Sequence, residues 1–464
     1  MADQRMIRGL ERDSIRALEA ALDRLAVGFE RVPPFSPAEV FDEEAEAVLM
    51  EVAEALHADF PYFHPLYAGQ MLKPPHPLAR AAYSLAMWMN PNNHALDAAK
   101  ASSAMEKEAV AEIARMIGWD THLGHLCGGG TMANLEALWV GSRLKPGATT
   151  VASQQAHYTH GRISGVLSLA FETLPCDSLG RMDVRALEER LKRGDVGTVV
   201  ATLGTTAIGA VDPLPDLLCL RDRFGFRLHA DAAYGGYFLL TDNLAPGTRA
   251  SYDRLNEVDS VVIDPHKHGL QPYGCGCVVF RDPSIGAFYK HDSPYTYFTS
   301  SDLHLGEISL ECSRPGASAI GLWATQRLLP LTRGGRFASG LAKSRAAALA
   351  LWDRLKGDGR FMSPLAPELD IVVWTVRAPT AGESSRLARS VFRESERLGL
   401  HLALTELPVR FFESEGSAAW ADRETVTSLR SVLMKPEHLQ WIEEIYRILD
   451  RAADAALKAR PGST

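Results

Sequence analysis

The fold of this chain is indicated by the segment Leu228-His229-Ala230-Asp231-Ala232-Ala233-Tyr234-Gly235-Gly236, in which a carboxylate follows a short apolar strand. A second segment, Asp264-Pro265-His266-Lys267-His268-Gly269-Leu270, follows the apolar run 261–263 and supplies a lysine. Strands alternate with helical patterns from about residue 124 to 280. This alternation predicts an α/β fold with a mostly parallel sheet and helices on both faces. Ligands of such sheets bind beyond the carboxyl ends of the strands, where both charged residues fall.

A glycine-rich loop, Cys127-Gly128-Gly129-Gly130-Thr131, precedes a strongly helix-forming stretch. Glycines let the backbone approach a phosphate, and the free N–H groups of a helix start attract it, so the loop is a candidate anion cradle. A plain loop with an N-cap threonine is the alternative, because the pattern matches neither the Walker nor the dinucleotide motif. His157 and Thr205 each follow a further strand-like run. An imidazole can stack on a planar ring and a hydroxyl can bond a ligand, although packing and turn formation also explain such residues.

Taken together, these five elements indicate a site for a carbonyl cofactor. A lysine amine can hold pyridoxal 5'-phosphate (PLP) as a Schiff base, while a buried aspartate keeps the pyridine nitrogen protonated and makes the ring an electron sink. The lysine alone would carry no such implication, because most lysine side chains are solvated surface groups.

The order of the elements resembles that of the group II PLP-dependent amino-acid decarboxylases of fold type I, which act on glutamate, aspartate, aromatic amino acids and cysteine sulfinate. The matching stretches are Gly128-Gly129-Gly130-Thr131, His157, Gly204-Thr205-Thr206, Asp231-Ala232-Ala233 and Pro265-His266-Lys267, and weaker similarity extends over nearly the whole chain. Cys127 departs from the serine or threonine that relatives usually have before the two glycines.

The resemblance implies a role for each matching residue. Lys267 would be the Schiff-base lysine, Asp231 the partner of the pyridine nitrogen, His157 the residue stacked over the ring and Ala233 the residue beneath it. The phosphate would be contacted by Gly129, Gly130, Thr131 and His266, and Thr205 would lie near the ring hydroxyl or the substrate carboxylate.

Substrate contacts are implied by the same resemblance. Arg314, in the turn 311–316, has the planar fork that suits a substrate carboxylate, with a salt bridge near a helix start as the alternative. His64 and Gln70 lie in the aromatic-rich stretch 62–71 and are implied as residues of the pocket rim. Tyr295 or Tyr297 is implied as the proton donor to the α-carbon after carbon dioxide leaves. Aromatic packing at a dimer interface would explain these tyrosines equally well.

The chain is long enough for more than one domain, since single cores stop growing well below its 464 residues. We expect an N-terminal helical arm over 1–75, a large PLP-binding domain over 76–335 and a small C-terminal α/β domain over 336–464. In relatives the arm wraps the partner subunit, which implies a homodimer with active sites at the interface.

Composition excludes several other classes of protein. A hydrophobic content of 46%, a charged content of 23% and a net charge of −8 argue for a globular protein and against a nucleic-acid surface. The charged N-terminus and the absence of about 18 consecutive apolar residues argue against a membrane protein. Six cysteines in 464 residues are sparse, so we expect reduced thiols and a cytoplasmic location. No metal site is expected.

The expected function is PLP-dependent removal of the α-carboxylate of an L-amino acid. Arginines, His64, Gln70 and His304 favour an acidic substrate such as aspartate, glutamate or a sulfinate or phosphonate analogue, whereas the loop aromatics would suit an aromatic amino acid. A PLP-dependent carbon–carbon lyase acting on a phosphorylated amino alcohol is the main alternative. A non-catalytic scaffold would be expected to lack Lys267 or Asp231, and both are present.

Overall fold

The computed structural model describes residues 13–290, 303–415 and 420–458. The helices are α1 Asp13–Val27, α2 Glu43–Ala55, α3 Pro77–Met87, α4 Lys100–Ile117, α5 Gly130–Leu144, α6 Thr159–Val166, α7 Val184–Leu191, α8 Leu214–Phe224, α9 Pro246–Asp253, α10 Gly316–Leu328, α11 Arg336–Lys356, α12 Ala381–Arg397 and α13 His438–Lys458. The strands are β1 Leu123–Cys127, β2 Thr149–Ser153, β3 Phe171–Leu174, β4 Val196–Thr202, β5 Arg227–Asp231, β6 Ser260–Ile263, β7 Gly276–Phe280, β8 Phe361–Met362, β9 Ile371–Val376, β10 Ala403–Pro408 and β11 Thr425–Val432.

The larger sheet of the described chain has the strand order β1-β7-β6-β5-β4-β2-β3. β2 to β6 run parallel to one another, and β7 is antiparallel to both β6 and β1. Every residue of β2, β6 and β7 is buried, as expected for strands covered by helices on both faces. The predicted α/β fold with a mostly parallel sheet is confirmed.

A smaller antiparallel sheet, in the order β10-β11-β9-β8, forms the C-terminal part of the described chain. α12 packs Leu387 and Val391 into a core shared with α13, which contributes Ile445 and Leu449. α12 begins at Ala381, where the Thr380 hydroxyl caps it by accepting a hydrogen bond from the Glu383 N–H. The domain boundaries expected near residues 75 and 335 stay a prediction.

The N-terminal helices differ from the rest in having no buried residues. The described part of α1 ends at Val27, and α2 begins at Glu43, within the helical arm expected over 1–75. Between them, Phe35 is 84% exposed, and Val40 and Phe41 are also exposed. Within the described residues, no helix combines the length and apolarity that crossing a bilayer requires.

Candidate active site

A cavity of about 550 Å³ lies beyond the carboxyl ends of the strands of the larger sheet. Its wall is built by the residues that follow β1, β2, β4, β5 and β6, five strands that point the same way. Nearest-neighbour strands therefore bring together side chains that are distant in the sequence. The wall includes Gly128, Gly129, Gly130, Thr131, His157, Asp231, Ala233, His266 and Lys267.

The glycine loop has little room for side chains. Gly129 has a φ of 151°, and a Cβ on Gly130 would lie 2.8 Å from an oxygen of Asp264. From the other side, a Cβ on Gly276 would lie 2.5 Å from the Gly129 backbone. The loop leads directly into α5, whose first N–H groups have no partner within the helix.

This loop already binds a side-chain carboxylate of the protein. The N–H of Gly128 donates to Oε2 of Glu311 at 3.1 Å. Thr131 adds a hydroxyl, which lies 3.4 Å from that of Thr159. Free N–H groups, a hydroxyl and a helix N-terminus on one wall suit a phosphate group, so the predicted anion cradle fits the geometry.

Lys267 reaches the cavity from the turn after β6. Its Nζ lies 3.0 Å from Oδ2 of Asp264, and its side chain is 22% exposed. The turn is tight, because a Cβ on Gly269 would lie 2.5 Å from Cα of Pro265. Asp264 was not predicted as a site residue, although it begins the segment that contains the lysine. Its Oδ1 is buried without a hydrogen-bond partner, so the carboxylate is available to a bound group.

Asp231, at the end of β5, is held by a buried histidine. Nε2 of His160 lies 2.9 Å from Oδ2 of Asp231, and Oδ1 accepts a hydrogen bond from the Ala233 N–H at 3.1 Å. Burial opposes ionisation of Asp231, but the hydrogen bond and charge of His160 hold its pKa below the usual value. Asp231 therefore stays anionic. His160 was missed, and the available signal was its place three residues after His157.

His157 and Ala233 reach the cavity wall from different strand ends. His157 is half-buried, burial lowers its pKa, and its Nδ1 accepts a hydrogen bond from the Thr159 N–H at 3.3 Å. His266 is also on the wall, where burial lowers its pKa and its ring lies 4.6 Å from that of Tyr273. Neutral imidazoles in these positions suit stacking on a flat ring and hydrogen bonding to a phosphate.

Thr205 differs from the expectation. It is fully buried, its hydroxyl accepts a hydrogen bond from the Ala210 N–H at 3.0 Å, and it does not line the cavity. The cavity is lined instead by Thr206 and by Thr202, whose hydroxyl is buried without a hydrogen-bond partner. This geometry fits the alternative that Thr205 forms a turn, because its side chain closes the loop between β4 and the following segment.

Arg314 is also held by other groups of the protein. Its guanidinium is buried, lies 2.8 Å from Oε1 of Glu106 and donates to the carbonyls of Leu126 and Asn93. It does not line the cavity. The salt-bridge alternative therefore describes this arginine, whose charge is already neutralised by a carboxylate.

The two predicted rim residues lie elsewhere. His64 packs edge-on against Trp441, with ring centroids 4.8 Å apart, and lines a separate cavity. Gln70 is exposed, and its backbone N–H donates to the Tyr67 hydroxyl at 3.3 Å. Neither residue is on the wall around Lys267. Tyr295 and Tyr297 lie outside the described residues.

A different arginine has the properties of an anion ligand. Arg430 on β11 is 6% exposed, and its Nε and Nη2 are buried without hydrogen-bond partners. Burial lowers the pKa of Arg430, and the nearby Tyr234 and Tyr67 act in the opposite direction. Tyr234 is itself on the cavity wall, whereas Arg430 lies behind the wall and does not line the cavity. Arg430 was not predicted as a site residue, because nothing in the surrounding sequence distinguishes it from the other arginines.

The described residues fit PLP. One amine, one anionic carboxylate, a loop with free N–H groups and two neutral imidazoles face a single cavity large enough for a small cofactor. The buried Thr202 hydroxyl and Asp264 Oδ1 supply further unpartnered polar atoms on the wall.

Similarity to known proteins agrees with this geometry. The model of the pyridoxal-dependent decarboxylase conserved domain matches residues 139–377. An L-tyrosine decarboxylase of Levilactobacillus brevis is 26% identical over 387 residues, which span 62% of this chain and 62% of that protein. An L-aspartate decarboxylase of Thermococcus kodakarensis is 28% identical over 284 residues, with 60% and 72% covered. The solved structure of Oryza sativa TDC with PLP and tryptamine has the same fold, with a TM-score of 0.76, 19% identity and coverage of 97% and 99%.

Proposed function

Because the chain belongs to the pyridoxal-dependent decarboxylase family, we propose that it removes the α-carboxylate of an L-amino acid as carbon dioxide. The observation that carries the proposal is the convergence of the Lys267 amine, the Asp231 carboxylate and the glycine loop on one cavity. PLP, when bound, withdraws electrons from the α-carbon bond that lies perpendicular to its ring.

Each residue of the cavity wall would have a distinct role. Lys267 would anchor the cofactor, and Asp264 would orient the lysine and hold its proton at 3.0 Å. Asp231, kept anionic by His160, would stabilise positive charge on a ring nitrogen. His157 would lie over the ring and Ala233 beneath it. Gly129, Gly130, Thr131 and His266 would surround the phosphate.

We propose Arg430, in place of Arg314, as the ligand of the substrate carboxylate. A buried guanidinium with unpartnered N–H groups is costly, and a bound carboxylate would satisfy them in a bidentate geometry. Arg314 is less suited to this role, because its charge is paired with Glu106 and only its Nε lacks a hydrogen-bond partner.

Arg430→Met is therefore expected to lower kcat/KM by about 10- to 100-fold, the value of one charge-assisted hydrogen-bonded contact, mainly through KM. The free energy of unfolding should change little, because no protein partner of Nε or Nη2 is lost. Arg389→Ala, which removes an exposed arginine 3.3 Å from Glu406, is the control and should match the wild type. Unchanged kcat/KM in Arg430→Met would rule out this role.

The residues around the cavity also bear on the side chain of the substrate. The expectation of an acidic substrate rested on the arginines, His64, Gln70 and His304. Among the described residues, no arginine lines the cavity, and neither do His64 and Gln70. Nδ1 of His304 accepts a hydrogen bond from the Leu96 N–H at 3.0 Å.

The cavity wall carries Asp231, Asp264 and Glu311 against one lysine, so it would repel a second carboxylate on the substrate. We therefore propose an amino acid with a neutral side chain as the preferred substrate, which among the candidates leaves the aromatic amino acids. The relatives include decarboxylases of both tyrosine and aspartate, which makes these two amino acids the decisive comparison.

Carbon dioxide release from the twenty amino acids and from acidic analogues tests both parts of the proposal. We expect turnover of tyrosine or another aromatic amino acid to exceed that of aspartate and glutamate. A parallel assay for aldehyde release from phosphorylated amino alcohols tests the carbon–carbon lyase alternative. Aldehyde without carbon dioxide would contradict the decarboxylase proposal, and preferential turnover of aspartate would contradict only the aromatic preference.

We also propose that the protein is a homodimer whose N-terminal segment covers the partner. Phe35, Val40 and Phe41 are 84%, 72% and 71% exposed, and such a group of apolar side chains on a soluble enzyme indicates a protein interface. The double variant Phe35→Asp/Phe41→Asp is expected to elute with half the wild-type mass in size-exclusion chromatography with light scattering. A variant at an isolated apolar site, Leu144→Asp, should keep the wild-type mass. A monomeric wild type would refute the proposal.

A further inference from the structure

A second cavity, of about 670 Å³, lies between the N-terminal segment 63–80 and the helices α11 and α13. It shares no lining residue with the cavity that contains Lys267. The decarboxylase proposal makes no use of it.

The cavity is lined by an excess of positive charge. Four cationic side chains, Lys73, Arg80, Arg336 and Lys435, stand against one carboxylate, Glu437. None of the four forms a salt bridge with any carboxylate of the described residues. Elsewhere in the described chain most arginines lie within 4.0 Å of an acid. Glu437 and the buried Asp370 act on Lys73 at longer range. Cations that outnumber the nearby carboxylates around a partly enclosed space attract anions.

Lys435 is buried and Lys73 is half-buried, so an anion bound beside them would hold both lysines in their charged form. Lys435 is 3% exposed, and its Nζ donates to the Tyr67 carbonyl at 2.6 Å. Nζ of Lys73 donates to the Met434 carbonyl at 3.3 Å. Burial lowers the pKa of Lys435 to about 7 and that of Lys73 to about 8. Each ammonium has one protein acceptor for its three N–H donors, which leaves capacity for a ligand.

Histidines and aromatic rings complete the wall. His268 lines the cavity with a side chain that is fully buried, and its Nδ1 has no hydrogen-bond partner. Phe63, Phe337 and Trp441 provide apolar faces beside the charges. A cavity of this size and composition suits an organic anion better than a bare ion, because the aromatic faces favour an apolar or planar group.

We propose that this second cavity binds a small organic phosphate whose phosphate group contacts Lys73, Arg80, Arg336 and Lys435 and whose organic part packs against Phe63, Phe337 and Trp441. Two guanidinium groups match a phosphate in a bidentate geometry, and the lysines add point charges. The ligand enters reversibly, without covalent chemistry.

Calorimetric titration of the PLP-loaded enzyme with phenyl phosphate tests the proposal, because the cofactor then occupies the first cavity. Ionic strength is held constant with chloride, and inorganic phosphate is titrated in parallel. We expect saturable binding of phenyl phosphate, and weaker binding of inorganic phosphate because it lacks an apolar group.

Arg336→Gln is the informative variant, since Arg336 is exposed at the first turn of α11 and its loss should leave folding intact. It is expected to weaken phenyl phosphate binding about tenfold, the value of one charge-assisted contact. Arg333→Gln, a nearby exposed arginine paired with Asp242 outside the cavity, is the matched control and should bind as the wild type does.

The proposal is overturned if the loaded enzyme shows no saturable binding, or if Arg336→Gln and Arg333→Gln bind phenyl phosphate equally well. Equal affinities for phenyl phosphate and inorganic phosphate would overturn the part of the proposal that assigns an organic group to the aromatic faces. Neither result depends on which amino acid the enzyme decarboxylates.

Discussion

Replacing Lys267 by alanine is expected to abolish the visible absorbance of covalently attached PLP and to lower carbon dioxide release by at least about 10³-fold, as loss of a reacting nucleophile does. Lys267 is the only lysine on the cavity wall formed by residues 13–290, 303–415 and 420–458. Its side chain is 22% exposed, so an aldehyde can reach Nζ. Absorbance spectra of the protein after incubation with PLP and dialysis measure the first effect.

A second variant separates loss of the amine from loss of structure. Lys267→Ala leaves the buried carboxylate of Asp264 without its cation, which itself costs stability. Lys267→Arg keeps a positive charge next to Asp264 but has no nucleophilic amine. We expect it to fold normally and to lack the absorbance, whereas Lys343→Ala, at an exposed position on α11, should retain it. An absorbance band that survives in Lys267→Arg would mean that another amine holds the cofactor.

Substitution of Asp231 is expected to have the second large effect, and it differs from substitution of Lys267 because turnover is lost while the absorbance remains. Asp231→Ala and Asp231→Asn should both keep the visible absorbance, since Lys267 is intact, but lose at least about 10²-fold in kcat. The reason is electrostatic, because the variants lack the negative charge that would stabilise a protonated ring nitrogen. Single-turnover and steady-state measurements of carbon dioxide release on the PLP-loaded variants provide the test.

The two substitutions differ in what they do to the fold. Alanine leaves Nε2 of the buried His160 without its partner at 2.9 Å, whereas asparagine retains an acceptor of nearly the same shape. The melting temperature should therefore fall more in Asp231→Ala than in Asp231→Asn, while both lose turnover. Near-normal turnover in Asp231→Asn would show that the charge is not required and would reject the proposed role.

His160 shows why the carboxylate could be predicted and its support could not. Asp231 follows an apolar strand in a fold where ligands bind at strand ends, so its position in the sequence indicates its position in space. His160 meets it only because β2 and β5 both lie beside β4, which places residues 71 positions apart within hydrogen-bond distance. A short pattern of two histidines three residues apart does not reveal which one faces the cavity.

Arg314 and Arg430 also show what the sequence could not predict. Arg314 and Arg430 both have the guanidinium that a substrate carboxylate needs, and the sequence offers no way to rank them. The ranking depends on Glu106, which is 208 residues from Arg314 in the chain and 2.8 Å from it in space. Since one opposite charge neutralises a guanidinium, the presence or absence of that partner decides which arginine is available to a ligand.

From its sequence alone, this chain could be assigned an α/β fold and the residues that end its strands, because hydrophobic periodicity is a local property. The PLP site was indicated by five short motifs and by the resemblance of their order to a known family. The positions of Lys267, Asp231 and the glycine loop on one cavity agree with that assignment. Only the tertiary structure showed that Arg314 and Thr205 are already partnered, that Arg430 and Thr202 are not, and that four cations surround a second cavity. Whether a polar group is free to act depends on the groups that fold against it, and those contacts are set by packing across the whole chain.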